Sequence, residues 1–169
     1  MDLSRITSDL KQWGQSLGFD SIGIAKPELA ADEAHLLRWL QDGRHGTMAW
    51  MPRHGRKRAR PQQLVPGTVR IISARMNYLP AGLEPTEAVL NDKRRAFIAR
   101  YALGRDYHKL MRRRLQQLAD KIQAAAGPFG YRVFVDSGPI LEKALGRDAG
   151  LGWIGKNTLL LDRDVGSYF

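Results

Sequence analysis

Hydrophobic residues recur at every third or fourth position near the start of the chain, in SRITSDLKQWGQSL at residues 4–17. This spacing places the apolar side chains on one face and predicts an amphipathic helix. Ser4 could cap its N-terminus, and Gly18 could end it, because glycine readily adopts the backbone conformation that stops a helix. The residues of the apolar face are Ile6, Leu10, Trp13 and Leu17.

The same kind of pattern predicts three further helices. EAHLLRWLQDG forms one, which ends at Gly43. A long helix begins near Tyr107, after a candidate cap at Asp106, and continues to Gly127. ILEKALGRDAG forms the last, and Pro139 suits its first turn.

Five short stretches predict β-strands, because β-branched and other apolar residues are frequent in them. They are DSIGIA, VRIISARMNY, AFIARYAL, YRVFVDS and TLLLD. Strands and helices alternate along the chain, so the expected fold class is α/β or α+β. Residues 44–66 have no sustained periodicity and predict a long basic loop.

The size and composition of the chain suit one globular domain, residues 1–169, with 43% apolar and 26% charged residues. No apolar stretch reaches the roughly 18 residues that a membrane-spanning helix needs. The first residues, MDLSRITSDL, lack the apolar core of a signal peptide. We therefore expect a cytoplasmic protein that is not inserted in a membrane.

The chain contains no cysteine. This excludes disulfides, thiolate zinc sites, a cysteine nucleophile and an iron–sulfur cluster of the ordinary thiolate kind within this sequence. Its 4 histidines show no HExxH-type spacing. No metal site is predicted.

Positive charge dominates the sequence, with a formal net charge of +10. The cations form two groups, RHGRKRAR at residues 53–60 and Lys109 with residues 112–114. A solvated face is a sufficient interpretation of either group alone. Two groups in one small domain favour a nucleic-acid surface, since each phosphate contact needs a cation. The candidate residues are Arg53, Arg56, Lys57, Arg60, Arg112 and Arg113.

Asp136 lies at the end of the predicted strand YRVFVDS, at the edge where α/β sheets usually place ligands. Spacing alone favours a structural role, in which Asp136 or Ser137 caps the helix that follows. In the functional interpretation Asp136 is an acid or base. Burial among apolar neighbours would keep its carboxyl group protonated and able to donate a proton near neutral pH.

Two other stretches have both a structural and a functional interpretation. GLGWIGKN, residues 150–157, allows tight turns and close approach of a ligand, and Lys156 could bind a phosphate or amide or lie in solvent. Its glycine spacing does not fit the phosphate-binding Walker pattern. RYALGRDYH, residues 100–108, could form an aromatic packing patch or border a large planar ligand. Its aromatic and imidazole side chains are Tyr101, Tyr107 and His108.

Taken together, five motifs resemble the epoxyqueuosine reductase family and cover nearly the whole chain. They are HGTMAWM, KRARPQQLVPG, RYALGRDYH, VFVDSGPILEKALGRDAGLGWIGKNTLLL and GSYF. The resemblance implies a nitroreductase-like cobalamin-binding domain with a central mixed sheet flanked by helices. It also implies reduction of epoxyqueuosine to queuosine in transfer RNA, the last step of queuosine biosynthesis, by reduced cobalamin. The chain would then be part of a longer enzyme.

The resemblance assigns roles to particular residues. Asp136 would be the proton donor, and the basic residues would help to bind the anticodon stem-loop of the transfer RNA. The residues expected to border or hold cobalamin are Arg58, Tyr107, His108, Gly155, Lys156 and Asn157.

The resemblance further implies two [4Fe–4S] clusters, which only a full-length protein with cysteine ligands could hold. An external electron donor such as flavodoxin or ferredoxin would reduce them, and the enzyme would be a monomer. This chain alone is then expected to be inactive, because it lacks the iron–sulfur relay. Two alternatives stay open: a flavin-dependent nitroreductase-like oxidoreductase, and an RNA-binding module without catalysis.

Overall fold

The computed structural model describes residues 3–79 and 84–169. The helices in these ranges are α1 (Leu3–Ser16), α2 (Ala30–Gln41), α3 (Trp50–His54), α4 (Thr86–Asn91), α5 (Tyr107–Ala126) and α6 (Glu142–Asp148). The strands are β1 (Ser21–Ala25), β2 (Ile71–Arg75), β3 (Trp153–Ile154) and β4 (Leu160–Leu161). Short 3-10 turns occur at Gly55–Ala59, Pro61–Gln63 and Arg100–Ala102. Within the described ranges, no helix is both long enough and apolar enough to cross a bilayer.

Gly18 follows the end of α1, as the sequence predicts. Its φ of +82° turns the chain so that the N–H of Phe19 donates to the carbonyl of Gly14 at 3.0 Å. The predicted cap at Ser4 is wrong, because α1 already includes Leu3. The hydrophobic period therefore located the helix but not its first residue.

The predicted limits of α5 are confirmed. The Asp106 side chain accepts a hydrogen bond from the backbone N–H of His108 at 3.0 Å and caps the first turn. At the other end Gly127, with a φ of +87°, donates to the carbonyl of Gln123 at 2.9 Å. The helix predicted before Gly43 is also present as α2. Local chemistry thus fixes the start of α5, where Tyr107 and His108 lie.

β1 and β2 form a two-stranded antiparallel sheet, in which Gly23 lies opposite Ser73. The end of α6 packs against this sheet at very short range. A Cβ atom on Gly23 would lie 2.1 Å from the carbonyl oxygen of Ala149, so only glycine permits this approach. The strands predicted in DSIGIA and VRIISARMNY are confirmed, and the second is limited to β2.

Two of the predicted strands are wrong. AFIARYAL contains the 3-10 turn Arg100–Ala102, and YRVFVDS contains no strand. A strand needs a neighbour that shares its backbone hydrogen bonds. For these two segments, no strand of the described residues supplies one.

The central mixed sheet is likewise not found in the described residues. Their strands form two small antiparallel sheets, β1 with β2 and β3 with β4. The coarser prediction of mixed helices and strands is correct. TLLLD contributes β4, which pairs Leu160 with Ile154.

α6 begins later than predicted. Leu141 is its N-cap residue and Glu142 its first helical residue, so Pro139 lies before the helix and not in its first turn. The segment between Asp136 and α6 is therefore irregular. This places Glu142, rather than Asp136 or Ser137, at the start of the helix.

The core consists of two clusters of buried side chains. One joins α1, β1 and α5 through Leu10, Phe19, Ile22 and Leu118. The other joins α2, the 3-10 turn at 55–59 and α6 through Leu29, Ala59, Ala144 and Leu145. Arg147 of α6 adds a two-armed ion pair with Asp32 of α2, at 2.9 and 3.1 Å. The second cluster therefore holds the helix that follows the Asp136 segment.

Replacing Leu145 should destabilise the protein strongly, because its side chain is 2% exposed in the second cluster. We expect Leu145→Ala to lower the free energy of unfolding by about 2–5 kcal/mol in denaturant titrations. Leu90→Ala is the matched control, because Leu90 of α4 is 60% exposed. Leu90→Ala should change the free energy of unfolding by no more than about 0.5 kcal/mol. Equal effects of the two substitutions would contradict this assignment of the core.

Candidate active site

Asp136 occupies an unusual backbone position. Its φ is +53°, and the N–H of the next residue, Ser137, donates to the carbonyl of Val135 at 2.6 Å. A hydrogen bond between residues two apart around a positive φ defines a γ-turn of the rare, strained type. Holding a residue other than glycine in such a conformation costs about 1–3 kcal/mol, and such residues cluster at functional sites. The turn therefore marks Asp136 as a candidate functional residue on backbone evidence alone.

The first turn of α5 brings two side chains to Asp136. The phenol of Tyr107 donates a hydrogen bond to the Asp136 carboxylate at Oδ2. The Nε2 atom of His108 lies 3.2 Å from the same oxygen. The Nδ1 atom of His108 lies 3.0 Å from Oδ1 of Asp106, the residue that caps α5. Asp106, which caps α5, thus also orients the imidazole ring of His108. The Nε2 atom of that ring faces Asp136.

The aromatic rings of this cluster are stacked. The Tyr107 and His108 rings have centroids 4.1 Å apart and planes inclined by 25°. Tyr101 meets Tyr107 edge to face at 6.5 Å. The packing interpretation of RYALGRDYH is confirmed by these ring contacts, and the contact with a large planar ligand stays a prediction.

The electrostatics of the cluster depend on the Asp136 carboxylate. The hydrogen bond to Asp136, followed by partial burial and the negative charge, raises the pKa of Tyr107 to about 12. The hydrogen bond from the His108 side chain lowers the pKa of Asp106. Tyr107 therefore stays a hydrogen-bond donor throughout the physiological range.

Asp136 does not have the purely structural role that its spacing favoured. Because α6 starts at Glu142 with Leu141 as its N-cap, neither Asp136 nor Ser137 caps that helix. The Asp136 side chain is 51% exposed, so the described residues alone do not enclose it as a dry pocket would. Its contacts with Tyr107 and His108 both involve Oδ2. Among the described residues no hydrogen bond to Oδ1 is made, which leaves this oxygen for a bound molecule.

Glu142 is a residue that the sequence analysis missed. Burial raises the pKa of its carboxyl group, the negative charge of Asp136 adds to the rise, and the backbone of Asp136 opposes it. Its position as an acidic residue in the first turn of α6 gave no reason to connect it with Asp136. The only sign in the sequence that Glu142 could lie near Asp136 is that it follows Asp136 by six residues.

Gly155, Lys156 and Asn157 form the turn between β3 and β4. A Cβ atom on Gly155 would lie 2.5 Å from the end of the Leu161 side chain, so a larger residue there would require that side chain to move. The Asn157 side chain accepts the N–H of Leu159 at 3.2 Å and shapes the turn. Lys156 is exposed, and its role as a ligand contact stays a prediction.

Arg58 is buried, with 8% of its surface exposed. Its guanidinium donates to the carbonyls of Trp50 and Met51 at 3.0 and 3.4 Å and lies over the Trp50 ring. The carbonyl of Arg58 accepts the N–H of Leu141 at 3.0 Å. These contacts tie α3 to the start of α6, and none of those described joins Arg58 to Asp136.

The predicted nucleic-acid residues differ in how much of their charge is already paired. Arg60 forms a two-armed ion pair with Glu33 at 2.7 and 2.9 Å, and Arg56 lies 3.1 Å from the same carboxylate. That arrangement partly neutralises one of the two basic groups. The exposed members of the predicted set are Arg53, Arg56, Lys57, Arg112 and Arg113.

A groove of about 560 Å³ runs between α5 and the segment that carries Asp136. Arg112 lines it from α5, and Tyr131, Arg132 and Phe134 line it from the other side. The guanidinium of Arg132 lies 4.9 Å from the centre of the Phe134 ring. The groove reaches Ser137, the neighbour of Asp136, so cationic and aromatic side chains continue up to the candidate site.

No three histidine, aspartate or glutamate side chains of residues 3–79 and 84–169 are grouped so as to hold a metal ion. The site that these residues build is a cluster of one carboxylate, one phenol and one imidazole. Such a cluster can hold, orient and transfer a proton.

One segment of the chain is similar to a known family. Residues 58–137 match the family model described as "Epoxyqueuosine reductase QueG, DUF1730". This segment contains Arg58, Tyr107, His108 and Asp136. It therefore includes the cluster described above.

Individual relatives agree with this class. The chain is 58% identical over 168 residues to an epoxyqueuosine reductase of Pseudomonas aeruginosa, with 99% of this chain and 46% of the relative covered. It is 50% identical over 169 residues to that of Escherichia coli, with 100% and 44% covered. The resemblance to epoxyqueuosine reductases is confirmed over essentially the whole chain, which spans about half the length of these curated relatives.

Solved structures show the same fold. An epoxyqueuosine reductase from Streptococcus thermophilus is 26% identical with a TM-score of 0.78, over 97% of this chain and 44% of the other. An epoxyqueuosine reductase from Bacillus subtilis is 21% identical with a TM-score of 0.79, over 99% of this chain and 44% of the other. In that structure an aspartate-bearing catalytic loop is swung out of the active site. A third holds an epoxyqueuosine-modified tRNA-Tyr stem loop and is 23% identical with a TM-score of 0.78, over 99% and 44%.

The Tyr107 contact predicts a pH effect. In Asp136→Asn the negative charge and the carboxylate acceptor are lost, so the pKa of Tyr107 should fall from about 12 toward its ordinary 10.0. Ultraviolet titration of tyrosinate absorbance measures this change, and Tyr107→Phe identifies the relevant signal. An unchanged titration in Asp136→Asn would contradict the contact.

The same pKa shift also stabilises the fold in a defined pH range. Because the folded pKa of Tyr107 is raised above its unfolded value, the stabilisation is complete below about pH 10 and is lost as the pH rises through about 12.

Proposed function

We propose that this chain carries the proton-transfer site of an enzyme that reduces epoxyqueuosine to queuosine in transfer RNA. The observation that carries the proposal is the strained Asp136 turn held against Tyr107 and His108, within the segment that matches the family. A catalytic aspartate on a loop is also what the description of the Bacillus subtilis enzyme names. The relatives' activity supports the proposal, although the chain spans about half their length.

The reaction defines what the protein must supply. Conversion of an epoxide to an alkene takes two electrons and releases the oxygen as water, so protons must reach the opening oxygen. We assign this proton donation to Oδ1 of Asp136, because Oδ2 already contacts Tyr107 and His108. After the proton leaves, the carboxylate is stabilised by hydrogen bonds from Tyr107 and, when its Nε2 carries a proton, from His108. His108 is partly exposed and gives a route for a proton to return.

Cobalamin is the cofactor that the resemblance implies, and the residues present are compatible with it. The β3–β4 hairpin exposes the apolar side chains of Trp153, Ile154 and Leu159 beside the exposed ammonium of Lys156. A large macrocycle rimmed with amide groups suits an apolar surface with polar contacts at its margin. When bound, reduced cobalamin supplies the electrons.

The proposed cobalamin contacts are not equally supported. Lys156 would donate to an amide or phosphate group, while Gly155 and Asn157 would shape the turn that presents it. Tyr107 and His108 would border the cofactor and substrate. Arg58 is the least supported, because its guanidinium already binds two backbone carbonyls.

The remaining parts of the proposal concern a full-length protein. It would have a nitroreductase-like fold with a central mixed sheet. It would hold two [4Fe–4S] clusters on cysteines outside this sequence and receive electrons from a donor such as flavodoxin or ferredoxin. We further propose that it acts as a monomer in the cytoplasm, where transfer RNA is found.

Transfer RNA is the proposed partner of the basic surface. The groove beside α5 combines two guanidinium groups with aromatic rings, a combination that binds phosphates and stacks on unpaired bases. Because the groove ends next to Asp136, nucleotides flanking the modified base would lie along it. The structure solved with a modified stem loop supports this type of partner.

Asp136→Asn in the full-length enzyme tests the catalytic proposal. Alkene formation should fall by at least about 100-fold, because the amide cannot donate the proton, while binding of cobalamin should survive. Product nucleosides and the visible spectrum of bound cobalamin measure the two quantities. Asp164→Asn is the control, since Asp164 is exposed and lies outside the cluster. Near-normal turnover of Asp136→Asn would remove Asp136 from the mechanism.

Arg112→Ala tests the RNA surface. It should weaken binding of an anticodon stem loop and reduce the slope of log affinity against log salt by about 0.7–0.9, because one phosphate contact is lost. Lys121→Ala removes the same charge from α5, about 13 Å further along the helix, and should leave the slope nearly unchanged. Equal effects of the two variants would show that the overall charge, and not the groove, binds the RNA.

A further inference from the structure

We infer that Lys143 is a positioning residue, which holds the turn between β3 and β4 in the conformation that presents Lys156 to a bound molecule. The observation that leads to this inference is a strained backbone at Thr158, within that turn. The structural part of the inference is independent of the proposed function, whereas its consequence for cobalamin binding rests on it.

Thr158 has a backbone conformation that its side chain disfavours. Its φ is +67°, and in the described part of the chain Asp136 is the other residue besides glycine with a positive φ. A branched Cβ atom crowds the backbone in this left-handed region. Gly155 and Asn157 are of types that tolerate a positive φ, yet neither has one. The strain falls on a residue poorly suited to it, which indicates that the surroundings impose the conformation.

Hydrogen bonds hold the peptide groups on both sides of the Thr158 Cα atom. On one side, the N–H of Thr158 donates to the carbonyl of Gly155 at 2.9 Å. On the other side, the ammonium of Lys143 donates to the carbonyl of Thr158 at 2.7 Å. The N–H of Leu159 donates to the Asn157 side chain at 3.2 Å. The bond from Lys143 is the shortest of the three and has a charged donor, so it opposes relaxation of Thr158 most strongly.

Lys143 makes this bond from a fixed part of the molecule. It lies in the first turn of α6, two residues before Leu145, whose side chain is buried in the second core cluster. Arg147 of the same helix pairs with Asp32 of α2 at 2.9 and 3.1 Å. The ammonium group thus links the β3–β4 turn to a helix that is anchored in the core.

The other end of the hairpin has its own anchor. The guanidinium of Arg75, at the end of β2, lies 2.8 Å from the Asp162 carboxylate and donates to the carbonyl of Leu151 at 3.1 Å. The N–H of Asp162 donates to the carbonyl of Gly166 at 2.8 Å. Loss of the Lys143 ammonium should therefore loosen the turn and leave this end of the hairpin in place. A local effect can thus be distinguished from unfolding.

The conformation of the turn determines how Lys156 is presented. Lys156 lies between Gly155 and Thr158, and its side chain is exposed. A molecule that binds only the strained form of the turn has an apparent affinity proportional to the fraction of protein in that form. Lys143 raises that fraction without contacting the bound molecule itself.

Nuclear magnetic resonance of the isotopically labelled 169-residue chain tests the contact. We expect a scalar coupling across the hydrogen bond, between Nζ of Lys143 and the carbonyl carbon of Thr158, and three-bond couplings that give Thr158 a positive φ. In Lys143→Met the positive φ should be lost, and the Gly155 and Thr158 amides should exchange with solvent about tenfold faster. The Asp162 amide should be unchanged. Lys121→Met, at an exposed lysine of α5, is the matched control and should alter none of these signals.

Thr158→Gly tests whether Lys143 acts through the strain, because glycine adopts a positive φ readily. In this background Lys143→Met should accelerate exchange of the Gly155 amide by no more than about threefold, since little strain is left to oppose. Lys143→Arg keeps a charged donor and should retain most of the protection.

Three results would overturn the inference. They are absence of the coupling in the wild-type chain, unchanged exchange in Lys143→Met, and equal acceleration by Lys143→Met in the threonine and glycine backgrounds. If Lys143→Met does not fold, the wild-type coupling and the sign of φ at Thr158 still decide the question.

Titration of the full-length enzyme with hydroxocobalamin, followed by its visible spectrum, tests the consequence for binding. Lys143→Met should weaken binding by about tenfold, and adding Thr158→Gly should recover most of that loss. Unchanged affinity in Lys143→Met would overturn the positioning role. A wild-type enzyme that shows the Lys143–Thr158 contact but binds no hydroxocobalamin would instead refute the proposed function and leave the structural inference intact.

Discussion

The hydrogen bond from the Tyr107 phenol to the Asp136 carboxylate joins two segments that lie 29 residues apart in the sequence. One is the first turn of a long helix, whose start is fixed by the Asp106 cap; the other is an irregular segment with a strained backbone. The remaining features of the site follow from this contact. It raises the pKa of Tyr107, it brings His108 to the same oxygen, and it leaves one carboxylate oxygen for a bound molecule.

α6 gives this arrangement its second support. The helix is short, but Leu145 packs in the core and Arg147 forms an ion pair with α2, so these contacts fix the position of its first turn. Lys143, in that first turn, donates a hydrogen bond to the carbonyl of Thr158 in the β3–β4 hairpin. Proteins that hold a reactive group usually place it on a loop and fix the loop from a packed element, which is the division of roles seen here.

Sequence reasoning was most successful where local chemistry decides the structure. Gly18 and Asp106 set helix ends through their own backbone and side chain, so their roles were predictable. It failed for AFIARYAL and YRVFVDS, because a strand depends on a partner that the pattern of one segment cannot reveal. Asp136 was identified by its place after an apolar run and by resemblance. Glu142 was missed, since its burial near the charge of Asp136 depends on where α6 begins. The expected burial of Asp136 was also absent, because the described residues enclose only one side of it.

In the proposed mechanism Asp136 faces the reacting oxygen of the substrate. A crystal structure of the full-length enzyme with an epoxyqueuosine-bearing stem loop tests this placement. We expect an Asp136 carboxylate oxygen within about 2.6–3.2 Å of the epoxide oxygen, or joined to it by one water molecule, while Tyr107 keeps its contact on the other carboxylate oxygen. An epoxide bound out of reach of Asp136, with another acidic group at that distance, would contradict it.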